Sequence, residues 1–426
     1  MKGHVSVEKD AEVATIKVST NVANDVKVTL NSAIESIIAK EGVLSSESKI
    51  DKAETKYEIG KDNTVAIGDA VAMVDGTLYD TFDNAFDAAR NGKELVLLKD
   101  VTLNKIYQVE KINLSGCNIA FEKKTYFSIK FASTFHVTGT GLIYEKDPYY
   151  SVIMVANEEM TSEKAVLTID KNVTLQGWAG LFVDSYNANG HWKNQYNFEA
   201  NIYGTLIGVK DTSGDTGPAV YVNGSNQYTG ADGIKVNIYQ TAKLHGSGNG
   251  VYAAGYAEWV VYEGALIEGD ITGFEIRAGK LTMNGGKIIG KGTPTSSTPN
   301  GNGSTSTGVG LAVAQHTTKL PIEVTVNGGT ITGYTAIDQK NPQNNDSEAV
   351  SKVKVTLKGG TFECYDKGMV VAYFENYEVV TEQGATIASA IFSSGYKLQK
   401  NDKGCYRFVP LSFESDNAQS SWADVK

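Results

Sequence analysis

The stretch VKVTLKGGTFECYDKGMVV, residues 353–371, decides the fold because its pattern recurs upstream. It consists of an alternating strand, a Gly-Gly corner, a short strand, a further glycine and an apolar strand. The segments KLTMNGGKIIG at 280–290 and IEVTVNGGTITGYTAI at 322–337 share its Thr-x-Asn/Lys-Gly-Gly core. Short strands and glycine corners that repeat every ~20 to 45 residues are typical of a β-solenoid. The sequence therefore predicts an all-β fold, specifically a right-handed parallel β-helix.

A helix is expected at the start of this solenoid. In residues 71–103, a strand and an Asp75-Gly76 turn precede Thr81, which can cap a helix that Asn91-Gly92 ends. The apolar positions of this helix recur at helical spacing, at Phe82, Ala85, Phe86 and Ala89. Because the first coil of a solenoid exposes its core and an unpaired strand edge, we expect the helix to cap this end.

A small α+β module is predicted before the solenoid. Residues 12–19 and 25–30 alternate apolar and polar side chains, which is typical of half-buried strands. Residues 32–42, with Ile34, Ile37 and Ile38 on one face, suit a short helix. The polar segment 45–64 is typical of a linker. These patterns divide the chain into a module with its linker at 1–62, a β-helix at 63–410 and a tail at 411–426.

Two polar segments interrupt the repeats. Residues 293–306 are of low complexity, and residues 341–348 read NPQNNDSE, so both are predicted to be mobile loops on corners of the solenoid. Residues 376–387 are expected to form the last complete coil.

Composition restricts the classes of partner. The 426-residue chain has 44 glycines, 7 prolines and a formal net charge of −10. No clustered basic stripe is visible, which argues against nucleic acid. No apolar run reaches the roughly 18 residues that span a bilayer, so membrane insertion is not expected. No charged-then-apolar leader follows Met1, which favours a fragment of a longer protein over a mature chain.

The three cysteines give no disulfide framework and no zinc spacing. Either Cys364 and Cys405 form a disulfide and Cys117 is free, or all three are buried thiols.

One segment resembles a known family. Residues 79–101, YDTFDNAFDAARNGKELVLLKDV, are similar to the opening of pectate-lyase-like β-helix regions in large bacterial surface proteins. The sequences GGTF at 359–362 and GGTI at 328–331 resemble the coils of that family. The resemblance extends over residues 70–410. It implies a secreted or cell-surface bacterial protein, and it implies no particular activity because such regions are mostly uncharacterised or presumed adhesive.

The strands that follow successive corners can be aligned. Alternation predicts an inward apolar set, namely Leu181, Val183, Val220, Val222, Val251, Ala253, Phe274, Ile276, Leu311, Val313, Ile337 and Met369. The first outward column, which we call the aromatic strip, contains Phe182, Tyr221, Tyr252, Glu275, Ala312 and Asp338. The neighbouring outward column contains Asp184, Asn223, Ala254, Arg277, Ala314 and Lys340.

The aromatic strip is the first candidate for a glycan-binding surface. Sugar rings stack on aromatic faces, while acids and amides bond their hydroxyl groups. The candidate ligand-binding residues are Phe182, Asp184, Tyr221, Asn223 and Tyr252, with Trp192, Tyr196 and Tyr228 on the Asn- and Tyr-rich segments 185–198 and 224–233. The structural alternative is that these aromatic side chains only pack on one another or lie beneath those segments.

An enzyme would act in the same place. Glu275, Arg277 and Asp338 are the candidate catalytic residues of a polysaccharide lyase or glycoside hydrolase. Glu275 and Asp338 lie two coils apart, about 10 Å, which is marginal for paired acids, and Glu275 with Arg277 is most simply a surface ion pair. No metal site and no cofactor are predicted, and the five histidines fall in no nucleophile motif.

The sequence thus favours a non-catalytic extracellular protein, an adhesin or stalk that binds a glycan or another host or cell-surface ligand. The alternatives are the polysaccharide-cleaving enzyme and a purely structural spacer.

Overall fold

The computed structural model describes the solenoid region almost continuously and the two termini in short strands. The described residues are 3–7, 15–17, 26–30, 36–38, 56–60, 64–66, 70–108, 110–129, 133–155, 164–183, 197–224, 233–294, 306–365, 372–374, 379–381, 396–400 and 406–410.

Three long sheets and two small ones contain the strands of the described residues. The small sheets contain β1 (Gly3–Val7), β2 (Thr15–Lys17), β3 (Val26–Leu30), β4 (Ser36–Ile38), β5 (Lys56–Gly60) and β6 (Thr64–Ala66). Sheet 1 contains β7 (Ala72–Val74), β8 (Thr77–Tyr79), β9 (Glu94–Leu97), β11 (Lys111–Asn113), β14 (Thr134–Thr138), β17 (Ala165–Ile169), β20 (Phe198–Ile202), β23 (Ile234–Ile238), β26 (Glu258–Val261), β29 (Gly279–Met283), β32 (Ile322–Val326), β35 (Val353–Leu357) and β38 (Val379–Thr381).

The other two long sheets are built in the same way. Sheet 2 contains β10 (Val101–Leu103), β12 (Ile119–Phe121), β15 (Gly141–Glu145), β18 (Val173–Gly177), β21 (Thr205–Gly208), β24 (Lys243–Gly246), β27 (Leu266–Gly269), β30 (Lys287–Gly290), β33 (Thr330–Gly333) and β36 (Thr361–Cys364). Sheet 3 contains β13 (Phe127–Ile129), β16 (Ser151–Val155), β19 (Ala179–Val183), β22 (Val220–Val222), β25 (Asn249–Ala253), β28 (Thr272–Ile276), β31 (Val309–Ala314), β34 (Thr335–Lys340), β37 (Ala372–Phe374), β39 (Tyr396–Lys400) and β40 (Tyr406–Pro410). The helices are α1 (Phe82–Ala88) and α2 (Ser347–Val350).

Consecutive strands step from sheet to sheet. After β11, β12 and β13, one in each sheet, the chain returns to sheet 1 in β14, which lies parallel to β11. We call one such set of three strands a coil. The three long parallel sheets confirm the predicted all-β class and are consistent with a parallel β-helix. Antiparallel pairs occur where β7 and β8 join β9, and where β39 and β40 join β37.

The core lies between the three sheets, as the alternation predicts. The inward residues of sheet 3 from Leu181 to Ile337 are at most 1% exposed and belong to one apolar cluster. Burial of each large aliphatic side chain contributes roughly 1.5–3 kcal/mol relative to its exposure. Trp259 of β26 packs edge-on against Phe274 of β28, with 5.3 Å between ring centroids. One continuous core therefore runs the length of the coils.

The Gly-Gly corners have a steric cause. Gly286 and Gly329 have φ values of +80° and +94°, a region that side chains with a Cβ rarely adopt. A Cβ at Gly286 would also lie 2.6 Å from the carbonyl oxygen of Ala265 on the preceding coil. The second glycine of each corner is therefore required so that successive coils can stack closely.

The outer face of sheet 1 carries an ordered column of charges. Glutamate and lysine alternate from one coil to the next, which we call the charge ladder. Its members are Glu199, Lys235, Glu258, Lys280, Glu323 and Lys354. Directly opposite charges on neighbouring strands stabilise the pairing that brings them together.

The helix α1 confirms the predicted helix at this position. The Thr81 hydroxyl accepts a hydrogen bond from the N–H of Asn84 at 3.3 Å, which is the expected cap. Phe82 and Phe86 contact Tyr107 edge-on at centroid distances of 5.0 Å and 5.2 Å. The Tyr107 hydroxyl donates to the Asp83 carboxylate at 2.7 Å, and Lys105 contacts the same carboxylate at 2.7 Å. The helix is thereby joined to the first coils by both apolar and charged contacts.

Several sequence predictions are wrong within the described residues. The predicted helix at 32–42 is not found at Ser36–Ile38, which form β4 beside β2 in a parallel pair; the rest of that segment lies outside the described residues. Residues 341–348 are an ordered turn that leads into α2, because the Asn341 side-chain amide donates to the carbonyl of Asn345 and accepts a bond from the N–H of Asn345, both at 2.9 Å. In the last coil Ala372, rather than Met369, pairs with Ile337.

Other predictions are met only in part. Cys117 is a buried thiol that is not in a disulfide, whereas residues 295–305 of the predicted loop at 293–306, Cys405 and the tail at 411–426 lie outside the described residues. The hairpin of β39 and β40 was not predicted.

Candidate functional site

The register of sheet 3 assembles the predicted aromatic strip in one column. Phe182 pairs with Tyr221, Tyr221 with Tyr252, and Tyr252 with Glu275. Ala312 and Asp338 continue the column on the next two coils. The order predicted from the sequence is therefore the order in the structure.

The exposed end of this column is a compact aromatic cluster. The Phe182 and Tyr221 rings stack at 4.6 Å with planes 4° apart, and Tyr221 stacks on Tyr252 at 5.2 Å. Trp178, at the corner between β18 and β19, stands nearly perpendicular to Phe182 and Tyr221 at 6.4 Å and 6.0 Å. The side chains of Trp178, Phe182 and Tyr221 are partly exposed. We call Trp178, Phe182 and Tyr221 the aromatic patch. Trp178 was not predicted as a site residue, although an indole in a turn between two strands is itself a signal of an aromatic ring at the surface.

The remainder of the strip is not open to solvent. Tyr252 is 8% exposed, and Glu275 and Arg277 are fully buried. Arg277 Nη1 donates to the Tyr252 hydroxyl at 3.1 Å, and Asn249 Nδ2 donates to Glu275 Oε2 at 3.2 Å. The predicted surface ion pair of Glu275 and Arg277 is therefore wrong, since the two groups lie 4.0 Å apart in a buried polar network.

This network fixes the inner end of the aromatic stack. Burial, and next the negative charge of Glu275, raise the pKa of Tyr252 to about 12, so its hydroxyl stays protonated at neutral pH. Because the neutral hydroxyl of Tyr252 accepts a hydrogen bond from Arg277, the ring of Tyr252 is held in place beneath Tyr221. Removal of one partner would leave a buried charge without its counterpart, which is costly.

The residues proposed for polysaccharide cleavage are enclosed. Asp338 is 7% exposed and pairs with Lys340 at 2.7 Å. It lies two coils from Glu275, as predicted. An enclosed carboxyl group cannot reach a glycosidic bond in this conformation, because proton transfer requires hydrogen-bonding distance.

The other predicted site residues are only partly described. Asn223 is partly exposed, and its N–H donates to the carbonyl of Val183 at 2.9 Å. Asp184, Trp192, Tyr196 and Tyr228 lie outside the described residues.

A second row of aromatic rings, missed in the sequence, lies at the corner between sheets 1 and 2. Tyr203 stacks on Tyr239 at 4.2 Å, and Tyr239 on Tyr262 at 4.7 Å, with planes within 7° of parallel. All three are partly exposed. We call them the tyrosine stack. The signal for them was present, because NIY at 201–203, NIY at 237–239 and VVY at 260–262 each end a strand directly before a corner.

A groove of about 910 Å³ runs beside the tyrosine stack. Its lining includes the side chains of Lys171, Gln240, Lys243, Glu263, Asn284 and Lys287. Three ammonium groups and one carboxylate make its wall positive on a chain whose net charge is −10. Its floor is formed partly by the glycine corners, where side chains would meet the neighbouring coil.

A cluster of titratable groups lies on the outer face of sheet 2. His245 Nδ1 contacts Glu268 at 3.0 Å and its Nε2 lies 3.6 Å from Asp270, while Lys291 bonds Glu268. The hydrogen bond to Glu268 raises the pKa of Lys291. Among the described residues, no three His, Cys, Asp or Glu side chains are arranged to hold a metal ion.

Together these observations define a class of protein, an all-β stack of parallel coils with aromatic clusters on its outer faces. No family model matches the chain, and no curated protein and no solved structure matches it. In the part of the chain that the structure describes, no helix is long and apolar enough to cross a membrane.

Proposed function

We propose that this protein is a non-catalytic module of a secreted or cell-surface bacterial protein, and that it binds a glycan at the aromatic patch. The observation that carries the proposal is the contiguous, partly exposed cluster of Trp178, Phe182 and Tyr221 on a rigid sheet. Aromatic side chains on rigid strands bind with little loss of conformational entropy and provide apolar surface for the C–H faces of sugars.

The fold detail belongs to the same proposal. We infer a right-handed parallel β-helix of the pectate-lyase-like kind, capped by α1 at its first coil. The aromatic contacts of α1 with Tyr107 and the general preference of parallel crossover connections for the right hand support this. The surface location rests on the resemblance of residues 79–101 to bacterial surface proteins.

The burial of Glu275 favours binding over catalysis. A lyase or hydrolase needs acid and base groups that reach the scissile bond, whereas Glu275 and Arg277 are fully buried. These groups instead support the ring of Tyr252, on which Tyr221 stacks.

The test is a glycan-array screen with the full chain, followed by calorimetry on any glycan that binds. Trp178→Ala combined with Tyr221→Ala is expected to weaken binding about 5- to 150-fold, since each aromatic contact is worth about 0.5–1.5 kcal/mol. Tyr144→Ala, which removes a partly exposed ring from sheet 2, is the matched control and should bind normally.

Two results would count against this function. Binding that survives the double substitution would exclude the aromatic patch. Release of reducing ends or unsaturated products from a polysaccharide, abolished by Glu275→Gln, would identify an enzyme instead.

A further inference from the structure

The groove beside the tyrosine stack differs from the aromatic patch in position and in charge. Its lining residues come from six successive coils, from Lys171 to Gly329, a length of about 24 Å at ~4.8 Å per coil. The aromatic patch lies on sheet 3, whereas the groove follows the corner between sheets 1 and 2. A ligand in the groove would therefore be an extended chain that runs along the stack of coils.

The lysines of the groove are available to a ligand. Within the described residues, Lys171, Lys243 and Lys287 are exposed and have no carboxylate partner. Lys280 and Lys291 are instead engaged by carboxylates, since Lys280 contacts Glu258 at 3.4 Å and Lys291 bonds Glu268. Lys243 and Lys287 occupy the same column of sheet 2 two coils apart, about 10 Å. Ammonium groups at a regular spacing match a polymer whose negative charges also repeat.

An aromatic ring of the tyrosine stack lies at the edge of the groove. The tyrosine stack ends at Tyr262, because the next coil has Asn284 at the same position. The Asn284 side chain is drawn away from Tyr262, since its Oδ1 accepts a bond at 2.8 Å from Asn327 on the following coil. Tyr262 is partly exposed and lies next to the groove, because its chain neighbour Glu263 and Asn284 on the next coil both line it.

We propose that this groove binds a linear anionic glycan, with Lys171, Lys243 and Lys287 pairing with its carboxylate or sulfate groups and Tyr262 stacking on one sugar ring. Gln240 and Asn284 supply amide groups for the sugar hydroxyls. A glycan fits better than an acidic peptide, because the lining offers amide and hydroxyl side chains, contains only one large aliphatic side chain, Leu266, and has the partly exposed ring of Tyr262 next to it. The proposal does not depend on the aromatic patch.

The test measures the affinity of the full chain for four probes at low salt: alginate for carboxylates, dextran sulfate for sulfates, neutral dextran and polyglutamate. The triple variant Lys171→Gln, Lys243→Gln and Lys287→Gln is expected to bind the anionic glycan about tenfold more weakly. The matched control is Lys99→Gln, Lys111→Gln and Lys210→Gln, which removes the same charge from exposed positions outside the groove. Tyr262→Ala should also weaken binding, and Tyr262→Phe should preserve it.

The outcomes are distinct. If the triple lysine variant loses affinity for alginate alone or for dextran sulfate alone, the result identifies the anionic group. If it loses affinity for both, the groove has a general requirement for anions. Equal losses in the two triple variants, no binding of either anionic glycan by the natural chain, or equally tight lysine-dependent binding of polyglutamate would overturn the proposal. The double variant Trp178→Ala, Tyr221→Ala should bind these probes normally, so failure of the aromatic patch and failure of the groove can be told apart.

Discussion

Gln339 is a polar residue at a core position. It follows Ile337 by two residues on β34, pairs with Val313, and is fully buried. Within the described residues neither its amide nitrogen nor its amide oxygen has a hydrogen-bond partner. A buried amide without partners costs about 1–3 kcal/mol. The side chain therefore weakens the coil that contains it.

Replacing this residue should stabilise the protein. Gln339→Leu is expected to raise the free energy of unfolding by about 1–3 kcal/mol, because it removes the unsatisfied amide at similar volume. Urea unfolding followed by circular dichroism measures the change. Gln315→Leu is the matched control, since Gln315 is also fully buried but donates to the carbonyls of Leu320 and Ala349 at 2.9 Å. The control should destabilise; stabilisation by both changes would contradict the explanation.

Single residues also mark the limit of sequence reasoning at the site. Alternation placed Tyr252 and Glu275 on the outer face correctly, because the side-chain period of a strand is two. It could not predict their burial, because the pattern of one strand carries no information about which side chains pack against its outer face. The same limit applies to Arg277, whose charge suggested a surface position.

At the scale of the element, α1 depends on one carboxylate. The hydrogen bond from Lys105, and next that from the Tyr107 hydroxyl, lower the pKa of Asp83 below its ordinary value of 3.8. A lowered pKa in the folded state contributes stability above that ordinary value, and the contribution is lost as the pH falls through the lowered pKa. The attachment of α1 should therefore weaken in acid.

Asp83→Asn tests this dependence. Near pH 7 the variant should melt at a lower temperature than the natural chain. The free energy of unfolding should fall by less than about 1 kcal/mol, because the carboxylate is half exposed. As the pH falls through the lowered pKa of Asp83, the two melting temperatures should converge. Asp87→Asn, on the same helix but paired only with Arg90, is the control for a lost charge. A difference for Asp83→Asn that does not change with pH would show that the carboxylate does not act through its charge.

Elements were predictable where a local signal was strong. The helix α1 had a cap, helical spacing and a terminating Asn-Gly, and it was confirmed. The segment around Ser36 had helical spacing of isoleucines, yet it forms β4 because pairing with β2 competes with a weak intrinsic preference. The hairpin of β39 and β40 also has a local signal, since alternating residues flank Asn-Asp-Lys-Gly at 401–404.

At the scale of the whole molecule, the charge ladder connects six coils. Skipping one coil would place two like charges opposite each other at that point of the ladder, so the alternation favours one stacking order. No single strand reveals this, because glutamate and lysine at one position are ordinary surface residues. The pattern is visible only after the coils are aligned.

Reversing one charge in the ladder should destabilise the stack. Lys280→Glu places a third carboxylate between Glu258 and Glu323, at an expected cost of about 0.5–1 kcal/mol at low salt. The cost should largely disappear at about 1 M salt, where the Debye length is ~3 Å. Urea unfolding at both salt concentrations measures it, with Lys210→Glu as the control on an exposed residue away from sheet 1. A cost that salt does not reduce would point to lost packing instead.

The enclosed indole of Trp259 gives the molecule a built-in optical reporter. Only 1% of this side chain is exposed, and it lies against Phe274 in the middle of the coils. An indole in apolar surroundings fluoresces at shorter wavelength than one in water, so separation of these coils should shift the emission to the red. Trp178 is the counterpart at the surface, and its emission should respond to a molecule that settles on its ring. The chain has four tryptophans, so Trp192→Phe and Trp422→Phe would first remove the other two emitters. Phenylalanine at position 178 or 259 in that background would then assign each signal, so that the integrity of the interior and the occupancy of the exterior could be followed separately.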